Sequence, residues 1–141
     1  MKKAFIDSDI ILDLFAKREP FYESAALLFT LIEKKRLSGY TSPIVFANLH
    51  YILRKLNSPG SALEILRKLR TVISVLPVDE RVIDRALNSG FSDFEDAIQY
   101  QCAMENNLDF IITRNKADYK KSRLSVLDAE EFVEMWNAEE P

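Results

Sequence analysis

The stretch Phe5-Ile6-Asp7-Ser8-Asp9-Ile10-Ile11-Leu12-Asp13-Leu14-Phe15 changes character at Asp7, where an apolar run stops at a carboxylate and a helical pattern begins near Ile10. The three residues before it, Ala4-Phe5-Ile6, are short, apolar and without alternation, which suits a strand buried on both faces. A buried strand is a rigid mount, so Asp7 stands at a fixed point on the carboxyl edge of a sheet. Asp7 or Ser8 also suits the N-cap of the following helix, because short polar side chains accept hydrogen bonds from the free N–H groups there.

Working outward, further apolar runs at 110–112 and 125–127, the run 72–76 and a weaker one at 38–41 read as strands. Segments with helical spacing lie between and after them, at 21–35, 43–56, 61–70, 79–87, 93–106 and 129–136. Ser42 is placed to cap the second of these helices, with Pro43 at its first position, and Asn57-Ser58-Pro59-Gly60 is a turn between helices. Short strands alternating with helices imply an α/β fold, a three-layer αβα sandwich around a mainly parallel sheet. Such sheets place ligands at the carboxyl ends of their strands, so the residues after each strand are the ones to inspect.

With 141 residues, 48% of them hydrophobic, residues 1–141 read as a single domain that needs no disulfide or structural metal to build a core. The lone cysteine, Cys102, has no partner and no nearby histidine, which suits buried packing and a reducing cytoplasm. Residues 1–15 carry two lysines and an apolar run, but Asp7, Asp9 and Asp13 interrupt it, so it reads as neither a signal peptide nor a membrane span. A net charge of −3 excludes holding nucleic acid by broad charge neutralisation, so any such contact is local or metal-assisted.

Two more polar clusters follow the strand pattern. In Ser92-Asp93-Phe94-Glu95-Asp96, Ser92 and Glu95 match a capping box at the start of a helix, which leaves Asp96 free to face the same crevice as Asp7. Two carboxylates converging there repel unless a hard cation lies between them, and both are expected to titrate high without one. After the strand at 110–112 comes Thr113-Arg114-Asn115-Lys116-Ala117-Asp118-Tyr119. The basic residues Arg114, Lys116, Lys120, Lys121 and Arg123 read first as a solvated loop face, and second as phosphate contacts.

Taken together, FIDSDIILDLF (5–15), TSPIVFANLHYILRK (41–55), DFEDAIQYQCAMENN (93–107) and LDFIITRNKADY (108–119) resemble the PIN-domain family, which includes toxin nucleases of the VapC type. The resemblance implies Mg²⁺ or Mn²⁺ held by three or four acidic residues, hydrolysis of single-stranded RNA and, in toxin members, a protein antitoxin. Asp7 matches the first family acid and Asp96 the acid before Ala97. Asn115 falls where the family has a fourth Asp or Asn, with Asp118 as a neighbouring candidate ligand. The family's second acid, a Glu, aligns with Asn48.

Asn48 departs from that pattern by one negative charge. An amide offers a metal a carbonyl oxygen but acts as neither charged ligand nor base, and on a helix stripe with Ile44, Tyr51 and Ile52 it needs a partner to offset its burial. Asp9 and Glu95 could supply the missing charge, though neither matches a family acid. A PIN fold that binds RNA or protein without turnover is therefore a second reading. A phosphatase of the haloacid dehalogenase type fits less well: Phe5-Ile6-Asp7-Ser8-Asp9 resembles its first motif, but Ile11 stands where a hydroxyl is expected. His50, the sole histidine, points about 200° away from Asn48 on the helix. Met135 and Trp136, beside the acidic Glu139-Glu140, cover an edge of the core or form a homodimer contact.

Overall fold

The computed structural model describes residues 1–139; Glu140, within the acidic tail, lies outside them. Five strands, β1 (Lys3–Ile6), β2 (Ser38–Thr41), β3 (Ser74–Val75), β4 (Phe110–Ile112) and β5 (Ser125–Leu127), form one sheet in the order β3-β2-β1-β4-β5, every pair parallel. Seven helices flank it: α1 (Ser8–Phe15), α2 (Tyr22–Glu33), α3 (Pro43–Leu56), α4 (Pro59–Val72), α5 (Glu80–Leu87), α6 (Phe94–Glu105) and α7 (Ala129–Glu139). This is the α/β sandwich the alternation implies. A short 3₁₀ turn, Lys116–Tyr119, follows β4.

β1 sits at the centre of the sheet, and its Ala4, Phe5 and Ile6 are all fully buried. Burying a side chain the size of Phe5 contributes about 2–3 kcal/mol. The chain leaves β1 toward β2 on one side and reaches β4 on the other, so the strand order reverses between β1 and β4. Parallel sheets open a crevice at such a reversal. Thus topology puts the residue after Ile6 and the residue after Ile112 side by side.

The local signals hold at most boundaries. Ser42 caps α3 through the Val45 N–H, with Pro43 opening the helix. Ser58 caps α4, so Pro59 and Gly60 belong to its first turn rather than to a loop. The third strand is shorter than its apolar run suggests: residue 72 finishes α4, and only Ser74 and Val75 pair with β2. The run's apolar side chains Ile73 and Leu76 are nevertheless buried, so hydrophobicity marked the core without marking the element. At α6 the cap is Asp93, not Ser92; its Oδ1 accepts from the Asp96 N–H at 3.0 Å. Either residue suits an N-cap, and the backbone before the helix decides between them. Met135 and Trp136 lie half-buried against the core, consistent with the edge-covering reading. Among the described residues no helix is long and apolar enough to cross a membrane.

Candidate functional site

Register builds the site. Ile6 pairs with Ile112, so Asp7 and Thr113 emerge together where the two central strands end. Asp7 caps α1: its Oδ1 accepts from the Ser8 N–H at 2.8 Å. Capping occupies only that oxygen. Oδ2 accepts from the buried Thr113 hydroxyl at 3.0 Å and from the Tyr119 hydroxyl at 3.3 Å. Asp96, in the first turn of α6, brings its Oδ1 to the same Tyr119 hydroxyl, also at 3.3 Å. Two carboxylates from elements 89 residues apart thus converge on one phenol oxygen, the 89 being the difference between positions 96 and 7.

Both carboxylates are held protonated more easily than usual. Asp7 is pushed up to about 6, first because it is buried and second because Asp9 is near. Asp96 is pushed up to about 7, again first by burial, then by the charges of Asp93, Asp7 and Asp118. The rise matches expectation, but its main cause differs: loss of water outweighs repulsion between the two acids. Asp9 is raised by burial as well, while the Arg114 N–H, 3.0 Å from its Oδ2, works the other way. Its Oδ1 is buried with no hydrogen-bond partner among the described residues.

Among the described residues the other candidates make no hydrogen bond to either acid. Asn48 is half-buried on α3, and its amide Nδ2 donates to Glu95 Oε2 at 3.1 Å. That bond supplies the partner an amide on an apolar face needs. Asn115 is exposed and borders a cavity of about 530 Å³ lined by Ile10, Asp13, Phe21, Arg114 and Asp128, in which Asp7 and Asp96 have no part. Asp118 is exposed too, yet its charge raises Asp96, so it faces the acidic pair electrostatically. No set of three or more His, Cys, Asp or Glu side chains among the described residues is close enough to hold a metal ion by itself.

The remaining sequence candidates fall away from the chemistry. Cys102 is fully buried, its thiol donates weakly to the Pro77 carbonyl at 3.7 Å, and burial pushes it up to about 11. Arg114 is tied to Asp13 through two nitrogens, at 2.9 and 3.1 Å, and lies 3.9 Å over the Phe21 ring. Lys116 pairs with Glu131 at 2.6 Å, and Lys121 donates to the Gly90 carbonyl at 2.7 Å. The basic run stays largely solvent-exposed, as a solvated loop face does, with three of its five cations also engaged within the chain. Two residues that the sequence reading did not single out complete the site: Thr113 and Tyr119. Thr113 carried a signal, being a hydroxyl directly after a buried strand; Tyr119 carried none, because an aromatic residue near a turn reads as core.

A family model described as a PIN domain matches residues 3–117. Ribonuclease VapC1 from Aquifex aeolicus (strain VF5) is 24% identical over 141 residues, with 96% of each chain covered. Among solved structures, VapBC-1 from nontypeable Haemophilus influenzae superposes with a TM-score of 0.70 at 16% identity, covering 91% of this chain and 98% of that one. A toxin-antitoxin complex from Klebsiella pneumoniae gives 0.67 at 20% identity, covering 89% and 97%. The structural likenesses speak to the fold; the family match spans the first three motifs, the fourth as far as Ala117, and both converging acids, and by it the chain belongs to the PIN-domain family.

Proposed function

We propose that this chain is a divalent-metal-dependent endoribonuclease that cuts single-stranded RNA, and that it works as the toxin half of a toxin-antitoxin pair. The observation that carries the reading is the meeting of Asp7 and Asp96 on one hydroxyl at the sheet's switch point, in a PIN-domain chain. The similarity to Ribonuclease VapC1 supports the reaction class, and the two toxin-antitoxin neighbours support a protein antitoxin as partner. Residues 1–141 are taken as one such domain, acting in the cytoplasm.

The donor set suits a weakly held hard cation. Burial makes both carboxylates costly as anions, and a cation offsets that cost. Mg²⁺ characteristically keeps several waters and takes only one or two carboxylates, so a pair of aspartates without a third acid is a workable site. Asp7 and Asp96 would hold it, with Asp118 or Asn115 as the further ligand. Once bound, Mg²⁺ or Mn²⁺ would lower the pKa of a water and offset charge developing on the phosphodiester. Thr113 keeps Asp7 turned toward the crevice through its 3.0 Å hydrogen bond. Asn48 keeps its carbonyl oxygen available while its Nδ2 is engaged with Glu95. No covalent intermediate on the protein is required.

Two points favour a second reading, a PIN module that binds RNA or a protein without turnover: the family resemblance aligns Asn48 with a Glu, and among the described residues no three acids are close enough together to hold a metal ion. Asn48→Glu separates the two. Under the nuclease reading it raises Mn²⁺ affinity and cleavage of a single-stranded RNA together, and adding Asp7→Asn abolishes both. An Asn48→Glu protein that binds Mn²⁺ tightly yet cuts no single-stranded RNA under any divalent condition leaves the binding module standing.

A further inference from the structure

The Tyr119 hydroxyl lies 3.3 Å from an oxygen of Asp7 and 3.3 Å from an oxygen of Asp96, in a side chain only 2% exposed. Its ring is fixed: it meets the Phe91 ring edge-on, with centroids 6.2 Å apart at 77°. A phenol carries one proton and can donate it to one carboxylate at a time. Asp7 Oδ2 already accepts from Thr113, so with Tyr119 it has two donors, while Oδ1 has the Ser8 N–H alone. Asp96 Oδ1 is turned to the phenol, and its Oδ2 makes no side-chain hydrogen bond among the described residues. The phenol therefore selects which oxygens of the pair face inward and which stay available.

We infer that Tyr119 is a positioning residue of the acidic pair, its hydroxyl setting the orientation in which Asp7 and Asp96 present their remaining oxygens to a divalent cation. The inference rests on the metal-dependent reading proposed above and deepens it. Groups that hold metal ligands in place through hydrogen bonds typically change affinity about 10–100-fold when lost. Among the described residues Tyr119 is the one side chain that hydrogen-bonds both acids, so its loss should be felt at both.

Tyr119→Phe is the test, because it keeps the ring against Phe91 and removes only the oxygen. The control is Tyr100→Phe. Tyr100 is also buried and stacks on Phe91 at 5.0 Å, but its hydroxyl accepts from the Arg123 N–H and touches neither acid. Mn²⁺ binding is followed by the loss of the free-ion electron paramagnetic resonance signal, alongside the thermal midpoint of the metal-free proteins. The expected result is Mn²⁺ affinity about 10-fold or more weaker in Tyr119→Phe and native in Tyr100→Phe, with both variants folded. Equal affinity in native and Tyr119→Phe proteins overturns the inference and leaves the metal-dependent reading intact. Tighter binding by Tyr119→Phe also overturns it, because the hydroxyl would then compete with the cation. An equal drop in both variants overturns it as well, since packing of the aromatic cluster would be the cause. Native protein that takes up no Mn²⁺ removes the metal-dependent reading and this inference together.

Discussion

Asp7 and Asp13 lie six positions apart around one helix, both almost entirely buried, and they sit in opposite electrostatic settings. Asp13, 1% exposed, has its Oδ1 on Arg18 Nε at 3.0 Å and its Oδ2 on Arg114 Nε at 2.9 Å, so two guanidiniums meet one carboxylate. Asp7, 8% exposed, is met only by hydroxyls and one backbone N–H, with Asp9 and Asp96 nearby. Burial of an acid is thus no sign of its role. What separates a structural carboxylate from a site carboxylate is whether the fold supplies the countercharge or leaves it to be supplied.

The strongest test of that contrast is paired substitution. Asp7→Asn should lower RNA cleavage and Mn²⁺ affinity by more than about 100-fold, beyond the range seen for loss of an outer hydrogen-bond partner, while leaving folding intact. Isothermal titration and a gel-based cleavage assay read the two effects. If Asp7→Asn unfolds the chain while metal binding in the folded fraction stays native, the assignment of roles is reversed. Asp13→Asn should do the opposite, costing about 3 kcal/mol in a urea melt because a buried pair is broken and two cations lose their partner. Its loss is kept from the upper end because Arg18 and Arg114 are 41% and 28% exposed and regain some water.

The pH dependence of stability sharpens the same comparison. Folding raises Asp7 from 3.8 to about 6 and Asp96 from 3.8 to about 7. Between about pH 4 and 7 the native state therefore binds more protons than the unfolded state, and stability falls as pH rises. For Asp7 the accumulated loss above pH 6 is on the order of 3 kcal/mol; Asp96, half-exposed, adds less. Metal-free protein should lose stability across that window in denaturant melts, Asp7→Asn should flatten the loss, and millimolar Mn²⁺ should reverse it. A flat profile for the native protein counts against an uncompensated pair. The smallest effect belongs to the compensated side: Phe21→Leu removes the ring under Arg114, 3.9 Å from its guanidinium carbon, and should cost only about 0.5–1 kcal/mol with native Mn²⁺ affinity.

The alternation of short apolar runs with helical spacing was enough to read an α/β sandwich, because the periodicity of a helix and the density of a buried strand are local properties. The place of Asp7 after β1 was local too, as was the likeness of Asp7 and Asp96 to family acids. Element ends were harder: 72–76 is apolar but for Ser74, yet a helix takes its first residue, because hydrophobicity records burial and not backbone geometry. The choice of Asp93 over Ser92 as cap follows from how the loop enters α6, which a capping pattern alone does not encode.

What the sequence by itself determined is where carboxylates stand relative to strand and helix ends. What only the tertiary structure decided is what each one faces. Arg114 answers Asp13 from 101 positions away, Thr113 reaches Asp7 from 106 and Tyr119 from 112. Asn48 finds its partner in Glu95, 47 positions on. Such pairings depend on sheet register and on how helices seat against the sheet. A one-residue slip of β4 against β1 would turn Thr113 away and change every one of the strand-end contacts, while leaving the composition and periodicity of the chain untouched.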